Sequence, residues 1–239
     1  MEKNAGRTLL LAAGLASLLV WLVPPLRIAL WPLTLFNTFI HELCHAVVAV
    51  LTGGQVEAIN VNRDGSGTTV SFGGIGLAIA SAGYVGAAVV GGVILALARS
   101  RQSARVVCYA VSLVLASSLV LVVRGDPLGW AVGLGWTLML AVSARIMPGP
   151  WLIFFTRFLG FQLGLTALHS LGELLVISQR GDAVTDAAII QSMTGVPPVV
   201  TSVAWSLTAL VCVGFAIRRA WEAETDEQGA SPKTRPSRV

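Results

Sequence analysis

The sequence predicts an all-α integral membrane protein, a polytopic bundle of about seven transmembrane helices with a short β-hairpin after the second of them. The first observation is composition: 55% of the 239 residues are hydrophobic and only 12% are charged. Soluble domains carry about twice that share of charge. The second is that apolar runs approaching the roughly 20 residues of a membrane span alternate with prolines and short arginine clusters.

Seven apolar segments are expected to form the transmembrane helices. Proline residues separate most of them, as expected for breaks between helices. Glycine pairs at four-residue spacing, such as Gly160 with Gly164, predict close helix packing in the bundle. The segments are 8–23, 31–51, 76–98, 105–123, 128–146, 151–177 and 199–217.

A hairpin is expected between the second and third segments. Gly53-Gly54 ends the second apolar run, and β-prone residues flank a turn that contains Asp64-Gly65. Its edge could pair with an extended substrate segment, or the hairpin could be a solvent loop. We expect residues 1–219 to form one membrane-embedded domain, with the hairpin at about 54–73. The polar residues 220–239 predict a disordered tail.

Net charge and cysteine content argue against a nucleic-acid-binding protein and against a disulfide-stabilised protein. The net charge of +4 comes from arginines grouped between apolar runs, a distribution typical of membrane loops, so no nucleic-acid partner is expected. Arginines after segments 76–98 and 199–217 predict that these ends face the cytoplasm; the orientation of the first half stays open. Three cysteines, each within an apolar run, do not form a disulfide framework.

The second apolar segment contains His41-Glu42-Leu43-Cys44-His45. On a helix, the HExxH spacing places both imidazoles on one face, where they can bind zinc, and the glutamate between them can act as general base. Ionisable groups within a membrane span are costly and suggest a functional site by default. We therefore predict His41 and His45 as zinc ligands and Glu42 as the catalytic base.

A catalytic zinc takes a third protein ligand and leaves one position for water. Glu173 and Asp186 are the two candidates, and the sequence leaves the choice open. Glu173 lies near the end of a long apolar run, with His169 one turn earlier on the same face as a candidate to orient a ligand. Asp182 is a further acid nearby. Thr185 or Asp186 could instead cap a helix that begins there.

The chain resembles the M50B-like branch of the site-2-protease metallopeptidases. The resemblance spans residues from about Thr38 to Trp205 and implies an intramembrane zinc peptidase with His41 and His45 as ligands, Glu42 as base and an acid near Glu173 or Asp186. Cys44 stands where this branch often has glycine, and Thr185 stands where it often has serine. The matching segments are 39–46, 51–54, 65–67, 80–86, 185–187 and 194–197.

We therefore expect a zinc-dependent endopeptidase of the cell membrane, with Zn²⁺ as cofactor. Its partners would be the lipid bilayer and a membrane-protein substrate, cleaved within or beside the bilayer. Two alternatives belong to other classes. One is a catalytically inactive membrane scaffold of the same fold, and the other is a transporter of metal or small solutes that uses His41, His45 and Glu173 as a transit site.

Overall fold

The computed structural model describes residues 5–177 and 185–229, which form a helical bundle and one hairpin. Within this part of the chain, six helices are long and apolar enough to cross a membrane, namely α1, α3, α4, α5, α6 and α9. The helices are α1 (Ala5–Leu22), α2 (Pro24–Ala29), α3 (Trp31–Leu51), α4 (Gly76–Leu97), α5 (Arg101–Leu121), α6 (Pro127–Ile146), α7 (Gly149–Ile177), α8 (Asp186–Thr194) and α9 (Pro198–Gly229). The predicted all-α membrane fold is confirmed.

Each of the seven predicted segments coincides with a helix, α1, α3 to α7 or α9. The break at Pro24-Pro25 differs from expectation, because these two prolines also begin the short helix α2. Proline is tolerated at the first positions of a helix, since the N–H that it lacks would have no partner within the helix. Helix α9 continues to Gly229, ten residues into the predicted tail. Good helix formers such as Ala223 favour this extension, together with a pairing of Arg218 with Glu222 one turn apart.

Helix α4 lies at the centre of the bundle, where it packs against α3, α7, α8 and α9. Its contact with α7 depends on small residues. A Cβ atom at Gly91 would lie 2.5 Å from the carbonyl oxygen of Gly160 and 2.6 Å from the nitrogen of Gly164. The predicted role of this glycine pair in close helix packing is confirmed.

The predicted hairpin is present, with strand β1 (Gln55–Val61) antiparallel to strand β2 (Gly67–Phe72). The outer edge of β1 is bonded to the loop between α5 and α6. Ile59 N–H donates to the Val122 carbonyl (2.9 Å), and Val61 N–H donates to the Asp126 carboxylate (2.7 Å). The same carboxylate caps α6, so one residue fixes the hairpin to the beginning of a helix.

Two arginine side chains connect the beginning of α1 to neighbouring helices. The buried Arg157 side chain of α7 donates to the carbonyl of Gly6 in α1 (2.6 Å) and to that of Ala98, directly after α4 (2.8 Å). The guanidinium of Arg7 lies 4.5 Å from the ring centroid of Trp221 in α9. The beginning of α1 therefore lies beside the end of α4 and the part of α9 that contains Trp221.

Candidate metal centre

Helix α3 carries His41, Glu42 and His45 on a largely buried face, because residues one turn apart point the same way. The side chain of His41 is 12% exposed and that of His45 is 6% exposed. Their Nε2 atoms lie 3.0 Å apart. The ligand-type atoms of these three residues all lie within 4.8 Å of one another, a grouping that could hold a metal ion.

Asp186 approaches both histidines from the far end of the chain. Its Oδ2 atom lies 3.0 Å from His41 Nε2 and 3.3 Å from His45 Nε2. Helix α8 presents this carboxylate from its first turn, and Thr185 caps the helix by accepting a hydrogen bond from Ala188 N–H. Burial raises the pKa of the Asp186 carboxyl, but the hydrogen bonds with His41 and His45 outweigh burial and hold the pKa below its usual value.

The three donor atoms fit one zinc ion. Atoms that bind a tetrahedral zinc at about 2.0–2.1 Å lie about 3.3 Å from one another. The observed separations of 3.0, 3.0 and 3.3 Å are close to that value. Two imidazoles and one carboxylate also form a donor set that is common in catalytic zinc sites.

The backbone of α4 orients His45 and leaves room for the site. His45 Nδ1 lies 2.6 Å from the carbonyl oxygen of Ile79. Because a carbonyl can only accept, Nδ1 carries a proton. In the neutral form of the imidazole that binds a metal, the lone pair is then on Nε2, which lies toward Asp186 and His41. A Cβ atom at Gly83 would lie 2.5 Å from His45 Nε2 and would also collide with the His41 ring. Only glycine fits there without displacing a proposed ligand.

The carboxylate of Glu42 contacts the hairpin. It is 5% exposed, and its Oε2 atom accepts a hydrogen bond from Thr69 Oγ1 of β2 (2.7 Å). A Cβ atom at Gly67 would lie 2.6 Å from Glu42 Oε1. The hairpin therefore packs directly on the predicted base. Nothing in the sequence indicates that Thr69 and Gly67 contact Glu42.

Aromatic side chains connect the site to α8 and α9. The ring of Tyr84 in α4 meets the His41 ring edge-on at 4.5 Å and stacks on Trp205 of α9 at 5.1 Å. Trp205 also belongs to the apolar cluster with Ala187 and Ile190 that holds α8 in place. Tyr84 lies in segment 80–86, which matches the resembled family, but the sequence does not indicate its contact with His41.

The structure brings four of the predicted site residues together: His41, Glu42, His45 and Asp186. The other predictions remain without a structural test. The side chains of His169 and Glu173 lie outside the described residues, as does Asp182.

The sequence pattern of the Peptidase M50B-like family matches residues 10–216, which include every part of the site described above. A search of curated proteins found no match, and a search of solved structures found none either.

Proposed function

Because the chain belongs to the Peptidase M50B-like family and is a multi-pass membrane protein, we propose that it is an intramembrane zinc-dependent endopeptidase. It would hydrolyse peptide bonds of transmembrane or membrane-proximal segments. The observation that carries this proposal is the meeting of His41, His45 and Asp186, the last 145 residues further along the chain, beside the carboxylate of Glu42. A family of membrane metallopeptidases and a metal-compatible donor set thus support the same activity.

In this proposal His41, His45 and Asp186 hold the zinc ion. The distances of Asp186 to both histidines support it as the third ligand. The hydrogen bond between His45 Nδ1 and Ile79 keeps the ligating nitrogen directed to the site. When bound, zinc would polarise the scissile carbonyl and lower the pKa of the attacking water to about 7.

Glu42 would move the protons of the reaction. Its carboxylate accepts a proton from the attacking water and later delivers that proton to the nitrogen of the leaving amine. Close packing around the site limits the water that can enter: Glu42 is 5% exposed, the hairpin contacts Glu42, and α4 contacts both histidines. The peptide bond and one water are thereby held beside a single base.

Within residues 5–177 and 185–229, the edge of β2 opposite β1 pairs with no other strand, and it offers a place for an extended substrate. Ile59 and Val61 direct their N–H groups away from β2, to the α5–α6 loop. Their partners in the register, Thr69 and Gly67, therefore direct their backbone groups away from β1. An unwound substrate segment could add to this edge. Since intact helices hide their peptide bonds, we expect substrates whose transmembrane helix is broken by glycine or proline.

Removal of zinc is expected to abolish cleavage, and addition of zinc is expected to restore it. The purified protein would be reconstituted with a single-span reporter whose transmembrane segment carries a Gly-Pro break, and products would be identified by mass spectrometry. Magnesium is the control, because it prefers oxygen ligands and should not restore activity. Full cleavage by zinc-free protein would contradict the proposal.

The same vesicles separate the alternatives. A scaffold would bind zinc and leave the reporter intact under every condition. A transporter would move zinc across the vesicle membrane, which a zinc-sensitive dye inside the vesicles would report. Cleavage without zinc flux is the result that the proposed function predicts.

A further inference from the structure

The hydroxyl of Thr69 is the hydrogen-bond donor on the carboxylate of Glu42. Thr69 Oγ1 lies 2.7 Å from Glu42 Oε2 and 2.9 Å from the Glu42 backbone carbonyl. A threonine hydroxyl has one proton to donate. The carboxylate is the nearer acceptor and, when ionised, the stronger one, so it receives the proton.

Glycine at position 67 is what allows this contact. A Cβ atom there would lie 2.6 Å from Glu42 Oε1, 2.7 Å from Glu42 Cγ and 2.7 Å from the methyl carbon of Thr38. Any side chain at this position would push Glu42 or the strand away. The base and β2 therefore approach each other as closely as the backbone permits.

The rest of the hairpin holds Thr69 in place. Thr38 Oγ1 donates to the carbonyl of Gly65 (2.6 Å), and Trp31 Nε1 donates to that of Arg63 (2.9 Å), so α3 anchors the turn. The hydrogen bond of Ile59 to Val122 anchors β1 from the opposite side. A donor that is fixed from both sides can fix the direction of the carboxylate it contacts.

We infer that Thr69 is the positioning residue for the general base, holding one oxygen of Glu42 so that the other is available for the proton of the attacking water. This inference rests on the proposed function, since it assigns Thr69 a part in that reaction. It differs from a structural role of the hairpin because it requires the hydroxyl group and not only the packing of the side chain.

The test compares Thr69→Val, which removes the hydroxyl at constant shape, with Thr68→Val. Thr68 is the neighbouring residue on the opposite, exposed face of β2. With the Gly-Pro reporter, Thr69→Val is expected to lower kcat roughly 10- to 100-fold, the range for losing a hydrogen bond to a charged group, with KM changed by less than about twofold. Thr69→Ser should restore most of kcat, and Thr68→Val should match the wild type.

Equal kcat values in Thr69→Val and Thr68→Val would overturn the inference, as would a loss in Thr69→Val that Thr69→Ser fails to restore. A change confined to KM would instead indicate a role in substrate binding and would also overturn it. Bound zinc measured in every variant identifies losses that arise from an emptied metal site.

A second measurement tests the contact between Thr69 and Glu42 without using peptidase activity. Thermal unfolding of Thr69→Val, Glu42→Ala and the double variant forms a cycle, and two residues that interact give non-additive shifts in Tm. Additive shifts would overturn the proposed contact. If the wild type and Glu42→Gln were both inactive on the reporter, the proposed function would fail, whereas this cycle would still decide whether Thr69 holds Glu42.

Discussion

Replacement of Glu42 by glutamine is expected to reduce cleavage roughly 10²- to 10⁴-fold, the contribution typical of a positioned general base. Glutamine has nearly the same shape and can still accept the hydrogen bond from Thr69 Oγ1. It cannot take a proton from water. Because the proposed zinc ligands are His41, His45 and Asp186, the variant is expected to keep its zinc. The measurement is turnover of the reconstituted reporter, together with elemental analysis of the same preparation.

The matched control for this variant is Glu57→Gln. Glu57 lies on the exposed side of β1, so the same chemical change there should leave cleavage and zinc unaltered. If Glu42→Gln retained the turnover of the wild type, the assignment of the base would be wrong. If it lost zinc together with activity, Glu42 would have to be counted among the metal ligands.

Replacement of Asp186 by asparagine is expected to weaken zinc binding by about 100-fold or more. Loss of a residue that only hydrogen-bonds to a metal ligand already weakens binding about 10- to 100-fold, and loss of a ligand should cost more. The carboxylate lies 3.0 Å and 3.3 Å from the two imidazole nitrogens, and the neutral amide removes its charge at nearly the same size. Cleavage at limiting zinc should fall in parallel. Competition with a chromogenic chelator measures the affinity.

Glu173→Gln is the decisive comparison for Asp186→Asn, because the sequence alone left both acids as candidates. We expect it to retain zinc affinity close to that of the wild type. Asp64→Asn, a change in the exposed hairpin turn, controls for general effects of losing an acid. If Glu173→Gln lost zinc and Asp186→Asn did not, the third ligand would have to be reassigned.

Much of the fold follows from residues that are close in sequence. Span length and the glycine-rich turn depend on local composition, so helix α3 was predicted at its observed bounds and the hairpin at its observed place. Helix α2 was missed because Pro24 and Pro25 were interpreted as a break and not as the first residues of a helix. The packing of α1 against α7 depends on tertiary contacts, such as that of Arg157 with the Gly6 carbonyl, which local composition does not encode.

The site residues also divide into those that the local sequence predicts and those that only tertiary packing brings together. His41, Glu42 and His45 form a pattern within one helical turn, which the sequence displays directly. The approach of Asp186 depends on how α8 docks against α4 and Trp205, and no periodicity encodes that. Thr69 looks like any threonine in a β-strand; its contact with Glu42 exists because α3 and β2 pack with glycine at position 67.

We propose that His41, His45 and Asp186 hold one zinc ion with a position left for water. X-ray absorption at the zinc edge tests it most directly, on wild type and Asp186→Asn in detergent. We expect two imidazole nitrogens at about 2.0–2.1 Å and oxygens at about 2.0–2.2 Å as the remaining ligands. The oxygen shell should change in Asp186→Asn. Identical spectra for the two proteins, or a sulfur ligand at about 2.3 Å, would contradict it.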